Sequence, residues 1–60
     1  MYIHEAAKLL KMNLATSIGR KNDTDTWGRT KTGSFMIQTS PVNIPLLLDD
    51  VLADDWEVKA

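Results

Sequence analysis

Between Ile44 and Val58 the hydrophobic period of the chain changes, and this one stretch constrains the fold more than any other. Apolar residues at 44, 47, 48, 51 and 52 follow the i, i+3, i+4 spacing of one helix face. Pro45 suits a first helical turn, where its missing N–H has no partner to lose, and this places the cap at Asn43 or Ile44. After Asp54 the period shortens to two. Trp56 and Val58 alternate with Glu57 and Lys59, as in a short strand with one buried face. A buried helical turn running straight into a terminal strand is the expected anchor of the fold.

Size sharpens that expectation. A sixty-residue chain is one domain, 1–60, and buries only about 60% of the surface that its unfolded form exposes. Small scaffolds usually add disulfides, a metal or partner subunits. With no cysteine and one histidine, disulfides and the common zinc sites are excluded. A homo-oligomer is therefore expected. The net charge of −1 gives no global field that would favour nucleic acid or a membrane. Its distribution is uneven: Arg20, Lys21, Arg29 and Lys31 put cations in the middle, and Asp49, Asp50, Asp54, Asp55 and Glu57 put acid at the end. No apolar run approaches the roughly 20 residues of a membrane span, and nothing resembles a signal peptide. Asn22-Asp23-Thr24 matches a glycosylation acceptor only by accident in that setting. The expected location is the cytoplasm.

Taken in order, Ile3, Ala6, Ala7 and Leu10 form a stripe flanked by His4, Glu5, Lys8 and Lys11, which predicts a helix over 3–11. Met12-Asn13 ends it. Leu14, Thr16 and Ile18 then alternate with Ala15, Ser17 and Gly19, predicting a strand over 14–20 with one large-residue and one small-residue face. The small face either admits a backbone or flat ligand, or lies under the helix. Lys21 to Thr26 is a polar turn or loop, and Trp27 to Lys31 is a short strand or an ordered loop. Thr32-Gly33-Ser34 is a turn, Phe35 to Thr39 a strand, and Ser40 to Asn43 leads into the C-terminal helix and strand. An N-terminal helix, a small antiparallel sheet, a short helical turn and a terminal strand make an α+β domain.

The residues offer no nucleophile–base pair, no nucleotide-binding loop and no metal cluster. His4 reads as a solvated side chain in a first turn. Asp49-Asp50 and Asp54-Asp55 are adjacent pairs, whose side chains diverge on a helix, so they read as solvated faces and helix N-terminal charge rather than a magnesium or acid–base site. No cofactor and no catalysis are expected. The middle is chemically richer. Arg20, Asn22, Trp27, Arg29 and Lys31 combine guanidinium forks, an ammonium, an amide and a flat aromatic plane, the groups that meet phosphates and stack on bases. Trp27 stands evenly between ligand and structural roles, because it also suits a subunit interface. Trp56 reads as structural.

The block Asp49-Asp50-Val51-Leu52-Ala53-Asp54-Asp55-Trp56-Glu57-Val58 resembles the "DLLADDWEV"-like ending of a family of small, largely phage-encoded proteins that includes the Thoeris anti-defence 2 proteins. Ile3 to Leu10 is similar to that family's "F-x-E-A-L-x-x-L" helix, and Ser17-Ile18-Gly19-Arg20 to its "K-V-x-R" strand. The resemblance touches both ends, roughly half of the chain. It implies an oligomeric phage protein with pockets between protomers that binds a cyclic nucleotide or cyclic ADP-ribose-type immune messenger without cleaving it. Arg20 is carried over from the family, and Asp55 and Trp56 match its signature; Asn22, Trp27, Arg29 and Lys31 rest on residue chemistry alone. The expected ligand-binding set is thus Arg20, Asn22, Trp27, Arg29, Lys31 and Asp55. The rival expectation is a protein-binding inhibitor of a host enzyme that uses the acidic C-terminal surface. A DNA or RNA partner is disfavoured by the near-neutral charge.

Overall fold

A computed structural model of the chain describes residues 1–42 and 44–59 and has the α+β architecture expected: α1 (Ile3–Lys11), β1 (Ile18–Arg20), β2 (Trp27–Arg29), β3 (Phe35–Ile37), α2 (Leu48–Leu52) and β4 (Trp56–Val58). The first helix begins and ends where its stripe does. Tyr2 stands at the cap in extended backbone, and the Glu5 carboxylate accepts its N–H at 2.9 Å. Lys8 and Lys11 occupy the last turn, where they oppose the negative end of the helix dipole. Asn13 follows with φ 59°, the left-handed conformation that Asn tolerates better than most residues. Leu14 N–H donates to the Leu9 carbonyl at 2.9 Å and Asn13 N–H to that of Leu10 at 3.2 Å, the paired bonds of a Schellman stop.

That stop corrects the expected strand over 14–20. Ala15 N–H is also drawn to the Leu9 carbonyl, at 3.3 Å, so 14 and 15 finish the helix and pairing begins only at Ile18. Leu14, assigned above to the larger face of the strand, is 66% exposed, whereas Ala15 is buried.

The four strands form one antiparallel sheet in the order β3-β2-β1-β4. Ile18 lies opposite both Trp27 and Val58, Arg20 opposite Trp56, Trp27 opposite Ile37, and Arg29 opposite Phe35. Opposed residues share a sheet face, so all of these side chains belong to the face on which α1 packs. Ala6 and Leu10 of α1 meet Ala15, Ile18 and Trp56 there, and Ile3, Leu9, Trp27, Leu46 and Ala53 seal the margin. On the opposite face a Cβ added to Gly19 would stand 2.6 Å from the Asp25 carbonyl oxygen, so the small residue serves the close approach of a neighbouring backbone. The Met1 main chain runs along β4, with Trp56 N–H donating to the Met1 carbonyl at 2.9 Å.

The expected C-terminal anchor needs the larger correction. The helix starts at Leu48, not in the turn of Pro45, with Leu47 at its cap; the expected cap at Asn43 lies outside the described residues. None of its residues is buried. Leu47, Leu48 and Leu52 are 63%, 82% and 75% exposed, so the apolar stripe faces outward. Polar ties hold α2 instead: Trp56 Nε1–H donates to the Asp50 carbonyl at 2.7 Å, and Arg20 Nη1–H to Asp50 Oδ1 at 2.9 Å. The anchor is buried Trp56, in β4 rather than in the helix before it.

Candidate functional site

The loop between β1 and β2 is pinned at several points. Asp23 N–H donates to the Arg20 carbonyl at 3.1 Å, Asp25 N–H to Asp23 Oδ1 at 3.0 Å, and Thr39 Oγ1–H to Asp25 Oδ1 at 2.9 Å. These bonds, with Lys59 Nζ on the Asp23 carbonyl at 3.1 Å, hold 23–25 across from the segment that enters α2. Between the two lies a cleft of about 240 Å³, walled by half-buried Trp27, by Trp56 and by Ile44, Pro45 and Leu47, with Arg20, Asp23, Asp25 and Asp50 around it. A smaller hollow, about 230 Å³, adjoins it and shares Arg20 and Asp23; Asn22 and Asp55 complete its lining.

Arg20 is the hub. Its Nε–H and Nη2–H donate to the two oxygens of Asp55 at 2.8 and 3.2 Å, and Nη1–H goes to Asp50. Three of the five guanidinium donors are thereby engaged by carboxylates. Its hydrogen bonds to Asp55 and then to Asp50 raise the guanidinium pKa further, and the bond from Arg20 in turn holds the Asp55 carboxyl below the usual range. Both partners are about one third exposed, so solvent screens much of this attraction. The fork is filled by carboxylates, and only its remaining donors are open to a phosphate.

The six expected ligand residues are divided by the fold. Arg20, Trp27, Asn22 and Asp55 come together around the cleft and its annex. Arg29 and Lys31 do not. Arg29 donates to the Lys11 carbonyl at 3.2 Å and to Asn13 Oδ1 at 2.7 Å, at the far end of α1. Exposed Lys31 sits in the turn between β2 and β3. Sequence reasoning missed Asp50, Asp23 and Asp25, whereas Trp56, read as structural, is indeed a core residue whose buried ring backs the cleft. Asp50, expected to be solvated or helix N-terminal charge, does accept Leu47 N–H at 3.3 Å, but it also grips Arg20. Nothing local signals that second role.

Chemically the cleft offers an aromatic plane, an apolar wall and several carboxylate acceptors, which suits a flat heterocycle bearing hydroxyl or amino donors. Among the described residues no His, Cys, Asp and Glu group is arranged to hold a metal ion. His4 is exposed and stacks on Tyr2, with ring centroids 5.9 Å apart. Among the described residues no helix is long and apolar enough to cross a membrane. No family model, curated protein or solved structure matches the chain.

Proposed function

We propose that this chain is a phage anti-defence protein that binds and sequesters a cyclic nucleotide or cyclic ADP-ribose-type immune messenger in the host cytoplasm, without cleaving it. The observation that carries the reading is the union of Trp27, Trp56 and Arg20 around one cleft, although 36 positions separate Arg20 from Trp56. It joins residues from two of the segments whose sequence resembles the sponge family. In this reading Trp27 stacks on a base, and Asp23 and Asp25 accept hydrogen bonds from ribose hydroxyls or an exocyclic amine. The unused donors of Arg20, with Lys21 and Asn22 beside it, meet phosphate at the mouth. A second copy covers the exposed apolar side of α2, since so small a core leaves that surface as the natural place for subunit contact.

Calorimetric titration with cyclic dinucleotides and with cyclic ADP-ribose tests this, provided the bound ligand is afterwards recovered and identified. One of them should bind saturably, more weakly as salt rises, and come back intact. Base stacking contributes roughly 1–3 kcal/mol, so Trp27→Ala should weaken binding about tenfold or more. A folded protein that gives no heat with any of these ligands refutes the reading.

A second reading is favoured by the C-terminal surface itself. Leu47, Leu48 and Leu52 are exposed beside Asp49 and Asp54, an apolar patch with an acidic rim that fits a protein partner such as a host enzyme. It predicts stoichiometric capture of a host protein that Leu48→Asp abolishes, with no response to nucleotides.

A further inference from the structure

A second hollow, of about 360 Å³, lies away from the Trp27 cleft, between the C-terminal half of α1 and the β2–β3 hairpin. That volume falls within the range of small-ligand sites. Ala7 and Leu10 provide an apolar floor from the helix, and Phe35, 40% exposed, stands opposite Arg29 in the sheet register. Lys11 and Arg29 add cations to the lining. Among the described residues, ion pairs involve only Arg20 and Lys59, so neither Lys11 nor Arg29 has its charge met by a carboxylate.

Arg29 is also placed in advance. Its bonds to the Lys11 carbonyl and Asn13 Oδ1 use two of five donors and leave three free. Asn13, which supplies one of those acceptors, is the described non-glycine residue with positive φ, fixed there by the stop of α1. A guanidinium held by backbone and amide, beside a flat ring and over an aliphatic floor, is a complementary set for an anion carried on a flat apolar body. We infer that this hollow is a binding site for a small aromatic oxyanion, an aryl phosphate or aryl carboxylate, with Arg29 on the oxyanion and Phe35 and Leu10 against the ring. This site stands independently of the nucleotide reading of the Trp27 cleft.

The test is an amide-resolved NMR titration of the whole chain with phenyl phosphate, with benzoate as the carboxylate arm and inorganic phosphate and phenol as half-ligands. Gly33, Ser34 and Phe35 should shift saturably with phenyl phosphate or benzoate, and the better of the two should bind at least about tenfold more tightly than either half-ligand. Arg29→Gln and Phe35→Ala should each weaken binding, the first by about tenfold, and Trp27→Ala should leave it unchanged. Should Arg29→Gln fail to fold, Phe35→Ala and Lys11→Gln carry the same comparison, since both side chains are exposed. Shifts that do not saturate, equal affinity for inorganic phosphate, or indifference to these substitutions would overturn the assignment. So would shifts at the same amides that follow protein concentration without added anion, which would give the hollow to a second copy.

Discussion

The buried core of β1 and the outward-facing stripe of α2 should respond unequally to truncation, and Ile18→Val against Leu48→Ala makes the comparison. Ile18 has no exposed surface and sits under α1 between β2 and β4. Removing one buried methylene there should cost about 0.5–1.5 kcal/mol. At roughly 0.05–0.15 kcal/mol per residue, a domain of this size has only about 3–9 kcal/mol to lose. Each kcal/mol should lower the melting temperature by about 4–8 °C. Leu48 is 82% exposed, so less than a fifth of its surface is at stake. Full burial of a leucine contributes about 1.5–3 kcal/mol, and the truncation should therefore cost under about 0.5 kcal/mol, partly offset by the better helix propensity of Ala. Urea denaturation of both variants at a dilution where any oligomer has dissociated gives the two values. Repeating it at high concentration isolates what a second copy adds, because only association makes stability depend on concentration. If dilute Leu48→Ala costs as much as Ile18→Val, the outward-facing stripe is buried in the single chain and the account of α2 is wrong.

Three further outcomes follow from named contacts. Trp56→Phe keeps most of the buried ring but removes the donor to the Asp50 carbonyl; it should cost about 1–2 kcal/mol and speed hydrogen exchange at 48–52 while leaving α1 protected. Gly19→Ala places a methyl 2.6 Å from the Asp25 carbonyl oxygen and should cost about 1–3 kcal/mol in the same urea assay, by forcing the 23–25 loop away from β1. Arg20 holds the folded-state pKa of Asp55 below its unfolded value, so the unfolded chain binds more protons as pH falls through about 4. Stability from this pair is therefore complete above that pH and is lost on acidification toward the folded-state value; a pH series should show Asp55→Asn with a shallower acid limb, and identical limbs would refute the linkage.

The first helix was legible because everything that defines it is local: the stripe of Ile3, Ala6 and Leu10, the Glu5 cap and the stop at Asn13. The same stop explains the nearest error. The 14–20 pattern looks like a strand, yet the first two of those N–H groups are taken by the Leu9 carbonyl, and no alternation of side chains reveals that. In α2 the periodicity correctly groups Leu48, Val51 and Leu52, but period reports which residues share a face and is silent on whether the same chain covers it.

The candidate site shows where such reasoning stops. Trp27 and Arg29 are two positions apart, share a sheet face and belong to one basic, aromatic run, so sequence chemistry groups them. Two residues along a strand amount to about 7 Å, enough to set the indole against the entry to α2 and the guanidinium against the end of α1. Conversely, Arg20 finds Asp55 because β1 pairs with β4 in the register that sets Arg20 opposite Trp56, and finds Asp50 because the Trp56 indole fastens α2 above it. Sequence neighbours are thus parted into two hollows, and residues thirty or more positions apart are joined into one. Spacing along one strand does the parting, but pairing register does the joining; it is a property of two strands at once and cannot be read from the composition of either.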